Sequence, residues 1–401
     1  MMKTELLCLL VCSVALVSFG QAQETSQDIL ELVARNTEFA TNLYRKIAST
    51  SDNNIVFSPL SISASLATML WGSQGVTRDQ ILAGLSLATL RQSNQPERIP
   101  ELFQGLQENL SQNGALQPDR ATAFFVQQQL EVEKAFSDQA KKFFGADINK
   151  VDFSNVQAST TTINDYIRSR TGGNVKSVAE NIDPKTQLML ISSIFFQAKW
   201  ELPFNSSFTQ EERFFVNKYK TVQVPMMFRV DRYYLAYDGS LKVGILKLPL
   251  QAKVAMLILL PDKDVDYTSI DEELTNERFL GWIKQLKKIK LEVQLPRIRL
   301  EESYAMSKVL PDLGFDNVFD NRAELTGFSK AAELKVSEVL HKAVIKADEE
   351  GTSVTASPAT SVSEFSMLPR LTMNRPFLFL VYHEVTNSIL FMGRVIDPTK
   401  S

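Results

Sequence analysis

Side chains able to do covalent chemistry are scarce in this chain. Histidine occurs twice, at His341 and His383, and cysteine twice, at Cys8 and Cys12. A zinc centre built on imidazole and thiolate needs three or four such ligands, so no metal site is expected. A Ser-His-Asp hydrolase needs a nucleophile, a base and a group that orients the base. There is no Gly-x-Ser-x-Gly elbow and no Gly-rich phosphate loop to suggest one. His341 lies in the apolar, strand-like stretch Val339–Val344 and reads as a hydrogen-bonded core histidine. His383 sits near a hairpin turn and reads as solvated. No catalytic residue is assigned, no cofactor is implied, and the chain is not expected to be an enzyme.

A different segment carries the functional signal. From Glu349 to Glu364 the side chains are small or polar, with no Leu, Ile or aromatic, and Phe365-Ser366-Met367-Leu368-Pro369 follows. A stretch this long without structure of its own is uncommon in a compact domain and is usually functional. Thr, Ser, Val and Ala also fit the middle of a β-sheet without steric objection. The segment therefore reads as an exposed bait that can become a strand, which suits a binder that traps something.

The elements around it are those of an ordinary folded protein. The chain has 401 residues, 44% hydrophobic and 22% charged. With a net charge of −3, nothing global recruits nucleic acid or an anionic membrane. Leu6 to Phe19 is an apolar run behind Lys3, followed by Gly20-Gln21-Ala22. It is too short to span a bilayer and reads as a secretory signal peptide over residues 1–22. Both cysteines lie inside it. Residues 23–401 then form one domain, expected to be extracellular and monomeric, with plasma as the compartment. Without disulfides that domain relies on a large core. Two sequons, at Asn109 and Asn205, fit glycosylation in that route.

Asp28 to Ile47 carries apolar residues at helical spacing. Asn54–Phe57 is a short strand running into a helix, with Ser58 as N-cap and Pro59 at the first helical position. Residues 97–113 read as a helix broken by Pro100. Gln187–Phe196 reads as a strand buried on both faces. Val243–Leu250 and Val254–Leu260 pair as a hairpin. Phe279, Trp282, Ile283 and Leu286 form one helical stripe. Strands return at Leu291–Leu300, Leu334–Asp348, Pro376–His383 and Ser388–Val395. Helices come early and strands late, giving an α+β fold with mostly antiparallel sheets.

The chain resembles the serpin family, over essentially its whole length after the leader. The resemblance rests on Asn54-Ile55-Val56-Phe57-Ser58-Pro59-Leu60-Ser61-Ile62, on Phe195-Phe196-Gln197-Ala198-Lys199-Trp200, on Leu371-Thr372-Met373-Asn374-Arg375-Pro376-Phe377, and on Phe391-Met392-Gly393-Arg394-Val395. It implies a serpin fold with three β-sheets, about nine helices and an exposed reactive-centre loop, here about residues 349–369. The group implied is that of the secreted α1-antitrypsin-like members. In inhibitory relatives a Glu-Glu-Gly-Thr hinge precedes the scissile bond at a fixed distance. The hinge here is Glu349-Glu350-Gly351-Thr352, and the implied bond is Phe365–Ser366.

The resemblance implies a suicide inhibitor. A serine protease attacks the Phe365 carbonyl, and the severed loop inserts into the main sheet before the acyl-enzyme can hydrolyse. Thr352, Val354, Ala356 and Pro358 would face inward on insertion. Pro358 departs from the pattern, because it lacks an N–H for a central strand. Trp200 is implied at the top of the sheet, where the loop enters. The gate implied is a hydrogen-bonded cluster of Ser58, Ser61 and His341, with Ser192 where relatives carry asparagine. The aromatic Phe365 favours chymotrypsin-like pockets. The string Glu364–Pro369 also resembles a plasma member that acts on coagulation factor Xa with protein Z. Blood coagulation, factor Xa and protein Z are therefore expectations. Lys284, Lys287 and Lys288, read as one helical face, suit either heparin or plain solvation. The alternative function is a non-inhibitory serpin that acts as a carrier or substrate.

Overall fold

A computed structural model describes residues 26–90, 98–112, 114, 120–331, 333–350 and 368–400. Residues 1–22, read from the sequence as a signal peptide, and the expected hinge-to-scissile stretch from Gly351 to Ser366, with Thr352, Val354, Ala356, Pro358 and Phe365, lie outside the described residues.

The first half supplies helices. Helix α1 (Gln27–Ala48) is capped by Ser26 and buries Leu32, Val33, Phe39, Leu43 and Ile47 along one stripe. Strand β1 (Ile55–Phe57) runs into α2 (Pro59–Thr68), whose cap is Ser58 and whose first residue is Pro59. Helices α3 (Gly75–Gly84) and α4 (Arg98–Gln112) follow. The expected break at Pro100 is absent. Proline there falls in the first turn, where its missing N–H has no intrahelical partner to lose.

Strand β2 (Arg120–Gln127), helix α5 (Lys134–Phe144), strand β3 (Asp147–Val151), helix α6 (Val156–Arg170) and strand β4 (Leu188–Gln197) come next. Gly145 ends α5 at φ 65°, the left-handed conformation that glycine adopts without strain. Then follow β5 (Gln210–Phe215), β6 (Thr221–Asp238), β7 (Val243–Pro249), β8 (Val254–Pro261), α7 (Asn276–Gln285), β9 (Lys287–Pro296), β10 (Ile298–Ala305), β11 (Glu338–Ala347), β12 (Arg370–Thr372), β13 (Phe377–His383) and β14 (Ile389–Val395). The single strand expected over Leu291–Leu300 is two, β9 and β10, in different sheets. The change of sheet falls at Pro296-Arg297, where proline cannot continue a ladder.

Seven α-helices and two sheets form among the described residues. The larger sheet runs β1-β14-β13-β8-β7-β6-β9-β12, with β5 on β6; the smaller runs β10-β11-β4-β2-β3. Three sheets were expected, and the fold matches with two of them joined. Strand β6 is the reason. It pairs with β5 through Thr221–Met226, with β9 through Met226–Leu235 and with β7 through Tyr234–Asp238, so one long strand belongs to both neighbourhoods.

The five-stranded sheet is covered on both faces. Leu188, Leu190, Ile194 and Phe196 of β4 face the main core, while Met189, Ile191 and Phe195 pack under Ile163 and Ile167 of α6. That explains the unbroken apolar run of β4. Behind it, β1 lies so close to β14 that a Cβ on Gly393 would stand 2.0 Å from the Ile55 carbonyl oxygen. Only glycine fits there.

Candidate functional site

The central pair of the smaller sheet is unusual. Strands β11 and β4 run parallel, in register from Glu338 opposite Met189 to Lys346 opposite Gln197, and each has an antiparallel neighbour on its other side. Parallel pairing is the weaker kind per residue. A segment that folded back from the end of β11 would run antiparallel to both strands. The chain after Ala347 is such a continuation.

One cluster bridges this seam. His341 of β11 stands opposite Ser192 of β4, with its Nδ1 3.4 Å from Ser192 Oγ. Its Nε2 accepts the Ser58 N–H at 3.0 Å. That bond puts the imidazole proton on Nδ1, facing Ser192. Ser58 Oγ lies 2.9 Å from Ser61 Oγ and also accepts the Ser61 N–H, capping α2. Burial pushes His341 down to about 3 and a hydrogen bond at Ser192 offsets this only in part, so the ring is neutral at physiological pH. The four residues read from the sequence as a gate therefore meet, linking β11, β4 and the start of α2. The Ser192 contact is the long one, as its short side chain dictates.

The entry to the seam is held separately. Trp200, fully buried, donates its indole N–H to the Asp348 carbonyl, and its backbone N–H reaches the Glu350 carbonyl at 3.2 Å. Its ring stacks edge-on against Phe204. Glu349 accepts from Arg297 Nε at 3.0 and 2.9 Å and from Thr209 Oγ1 at 2.5 Å. Burial pushes the Glu349 carboxyl up, but the hydrogen bonds from Arg297 and Thr209 outweigh it and hold the group below its usual range. Beyond the scissile region the chain is pinned again, where Glu292 N–H donates to the Pro369 carbonyl at 3.0 Å and β12 joins β9. The two flanks are thus both held, one at the end of β11 inside the smaller sheet and one at β12, an edge strand of the larger.

Two sequence readings need correction. Lys284, Lys287 and Lys288 do not share a helical face. Helix α7 stops at Gln285, because Leu286 turns extended, and Lys287 and Lys288 open strand β9. His383 is not solvated but fully buried, with Nδ1 3.0 Å from Thr386 Oγ1, and burial pushes it down to about 4. Asn205 is exposed and its side chain accepts the Ser207 N–H, whereas Asn109 is half-buried on α4. Arg297 and Thr209 escaped the sequence reading, since nothing local ties them to Glu349. Arg120 escaped too, because β2 was not recognised as a strand.

A parallel strand pair bridged by one polar cluster and held at its end by a buried tryptophan defines a class rather than an activity. A family model described as serpin (serine protease inhibitor) matches residues 34–398. The chain belongs to the serpin family, a family of serine protease inhibitors and not of enzymes. Among relatives, the human protein Z-dependent protease inhibitor is 33% identical over 370 residues, 92% of this chain and 83% of that protein. A crystal structure of the mouse protein Z-dependent protease inhibitor superposes with a TM-score of 0.86 at 31% identity, covering 93% of this chain and all of that one, 100%. Human thyroxine-binding globulin has the same fold, with a TM-score of 0.83 at 27% identity over 92% of this chain and 99% of that one.

Proposed function

We propose that this chain is a secreted suicide inhibitor cut at Phe365–Ser366, which traps its protease by inserting the severed loop between β11 and β4. The protease serine attacks the Phe365 carbonyl, the Ser366 amine leaves, and an ester joins the two proteins. Strand addition along the seam then gives a hydrogen-bonded, fully antiparallel centre. Stored strain is released and the acyl-enzyme is displaced before water can attack. The observation that carries this reading is the parallel register of β11 and β4, directly continuous with the Glu349-Glu350 hinge.

The protease class follows from Phe365, which suits a hydrophobic specificity pocket. The relatives named for protein Z dependence, with the string Glu364–Pro369, favour factor Xa as target and protein Z as partner. Glycosylation is assigned to Asn205 first, because it is exposed. Mixing the protein with chymotrypsin, and with factor Xa in the presence and absence of protein Z, lipid and calcium, tests this on denaturing gels. A covalent band at the summed mass supports the trap. Clean cleavage with the protease still active supports instead a carrier or substrate, the alternative that the thyroxine-binding globulin likeness keeps open.

One arrangement favours a polyanion as a second partner. Arg232 of β6 stands directly opposite Lys290 of β9, and Lys288 lies over the Tyr234 ring with Lys247 beside it. Like charges directly opposite each other cost stability. Lys247 is itself paired with Glu384 at 2.9 Å, so Arg232, Lys288 and Lys290 are the cations this strand-borne patch would offer to heparin.

A further inference from the structure

Beside the gate, the described residues enclose a small cavity of about 30 Å³, lined on its polar side by Ser58, Ser61, Gln107, Arg120 and Thr122. Its odd member is Arg120. Arg120, Thr122, Phe124 and Val126 alternate along β2 onto the face turned to the main core, so the first two place polar groups where the pattern calls for apolar ones. Among the described residues Arg120 makes one side-chain hydrogen bond, from Nη2 to Gln107 Oε1 at 3.1 Å. Among the described residues no carboxylate pairs with it. Burial lowers its pKa.

A half-buried carboxyl without a partner can take up a proton, but a guanidinium cannot shed one in a protein. Arg120 is half-buried, so its charge is met by water or by an ion. The cavity holds more than the roughly 10–15 Å³ that one water needs. Ser61 and Thr122 share it, and Leu60, Ser61 and Ala64 of helix α2 form part of its wall. We propose that this cavity binds a small inorganic monoanion, of which chloride is the test ion, held by Arg120 with the Ser61 and Thr122 hydroxyls.

The position gives the ion a task. Thr122 stands opposite Ser192 across β2 and β4, and Ser61 touches Ser58 in the gate cluster. An anion that bridges β2 to α2 pins the sheet against the helix it must slide over when the seam opens. This second half rests on the trapping mechanism proposed above; the binding itself does not. Chloride is therefore expected to favour the closed sheet.

Chlorine NMR line width of the intact protein, with no protease present, reads the site directly. Excess broadening is expected in the wild type and its loss in Arg120→Gln; Thr122→Val serves where the first variant does not fold. Absence of broadening in the wild type, meaning a cavity filled by water alone, overturns the proposal, as does broadening that survives in both variants. The gate is read by loop insertion after nicking, in sodium chloride against sodium fluoride at equal ionic strength. Slower insertion in chloride, lost in the variant, supports the pin. Binding without any effect on insertion removes the pin and leaves the site.

Discussion

Glu349 and Arg297 face each other beside the top of the seam, across the β10–β11 side of β11, with Arg297 Nη2 2.8 Å from Glu349 Oε1. The carboxylate side chain is 13% exposed and the guanidinium 46%. On the proposed mechanism this pair would hold the hinge in the uninserted position. Half of it is in water, which limits its strength to about 1 kcal/mol. Glu349→Gln is expected to lower the thermal midpoint of the native form by about 1–2 °C and to speed spontaneous loop insertion. The carboxyl sits below its unfolded value, so its stabilisation is complete above that value and fades as pH falls through the folded one, in the acid range below the ordinary glutamate pKa of 4.5. Thermal scans of both proteins at neutral and acid pH check this; equal midpoints throughout would remove the clamp from the argument.

His341 and His383 make a second pH prediction, with a different window. Burial holds His341 at about 3 and His383 at about 4, against an ordinary 6.5. Each ring is neutral when folded and takes up a proton on unfolding at mildly acid pH. Their contribution is fully present above pH 6.5 and is lost as pH falls from there toward the folded values. Each adds a slope of about 1.4 kcal/mol per pH unit in that interval. Stability measured by denaturant should fall across this range, and His341→Gln or His383→Gln should each remove close to one proton from the slope. A flat profile down to pH 5 would contradict the buried, neutral assignment.

The sequence made some of this legible, for physical reasons that differ by residue. Strand β4 was plain because a strand covered on both faces leaves only apolar positions, and Ser58-Pro59 was plain because cap and first turn are chemically distinctive. The lysines were misplaced because the stripe Phe279, Trp282, Ile283, Leu286 keeps helical spacing through Leu286. Pairing of β9 with β6, which is remote in sequence, claims Lys287 and Lys288 for a strand. His383 was misread because hairpin ends usually face water, whereas here the Thr386 hydroxyl folds over it. Strand β2 was missed because Arg120 and Thr122 break the inward apolar pattern at its start, and these are the residues that line the cavity. Arg297 and Glu349 carry no mutual signal, since only the fold brings β10 and the end of β11 together.

The charge arrangement on β6 and β9 predicts opposite effects on stability and on polyanion binding. Lys290→Glu converts the like-charged pair with Arg232 into a complementary one. Cross-strand pairs of this kind are worth roughly 0.2–1 kcal/mol, so the variant should melt slightly higher than wild type. It should also elute from immobilised heparin at lower salt, because the summed field falls. Calorimetry and a salt gradient measure the two. An unchanged elution position would show that heparin does not use this face.

Pro358 decides how cleanly the trap closes. If the severed chain turns at Glu349 and Glu350 and returns along β11, Thr352 comes to lie opposite Ala347, Val354 opposite Ile345, Ala356 opposite Ala343, and Pro358 opposite His341. The four β11 residues share the face turned to the main core, with Ala343, Ile345 and Ala347 fully buried in it, so the arriving side chains must be small and uncharged. The first three meet that demand. Pro358 arrives at the level of the gate, without an N–H to offer its neighbour, where one lost ladder bond costs about 1–3 kcal/mol. Insertion should therefore slow at that layer and give the acyl-enzyme time to hydrolyse. Pro358→Ala is expected to shift the products from cleaved inhibitor toward covalent complex, with the ratio rising about tenfold for each 1.4 kcal/mol recovered in the rate-limiting layer. Densitometry of complex against cleaved bands, at fixed protease, gives that ratio. A ratio equal to wild type would mean that the loop has already committed before Pro358 reaches His341.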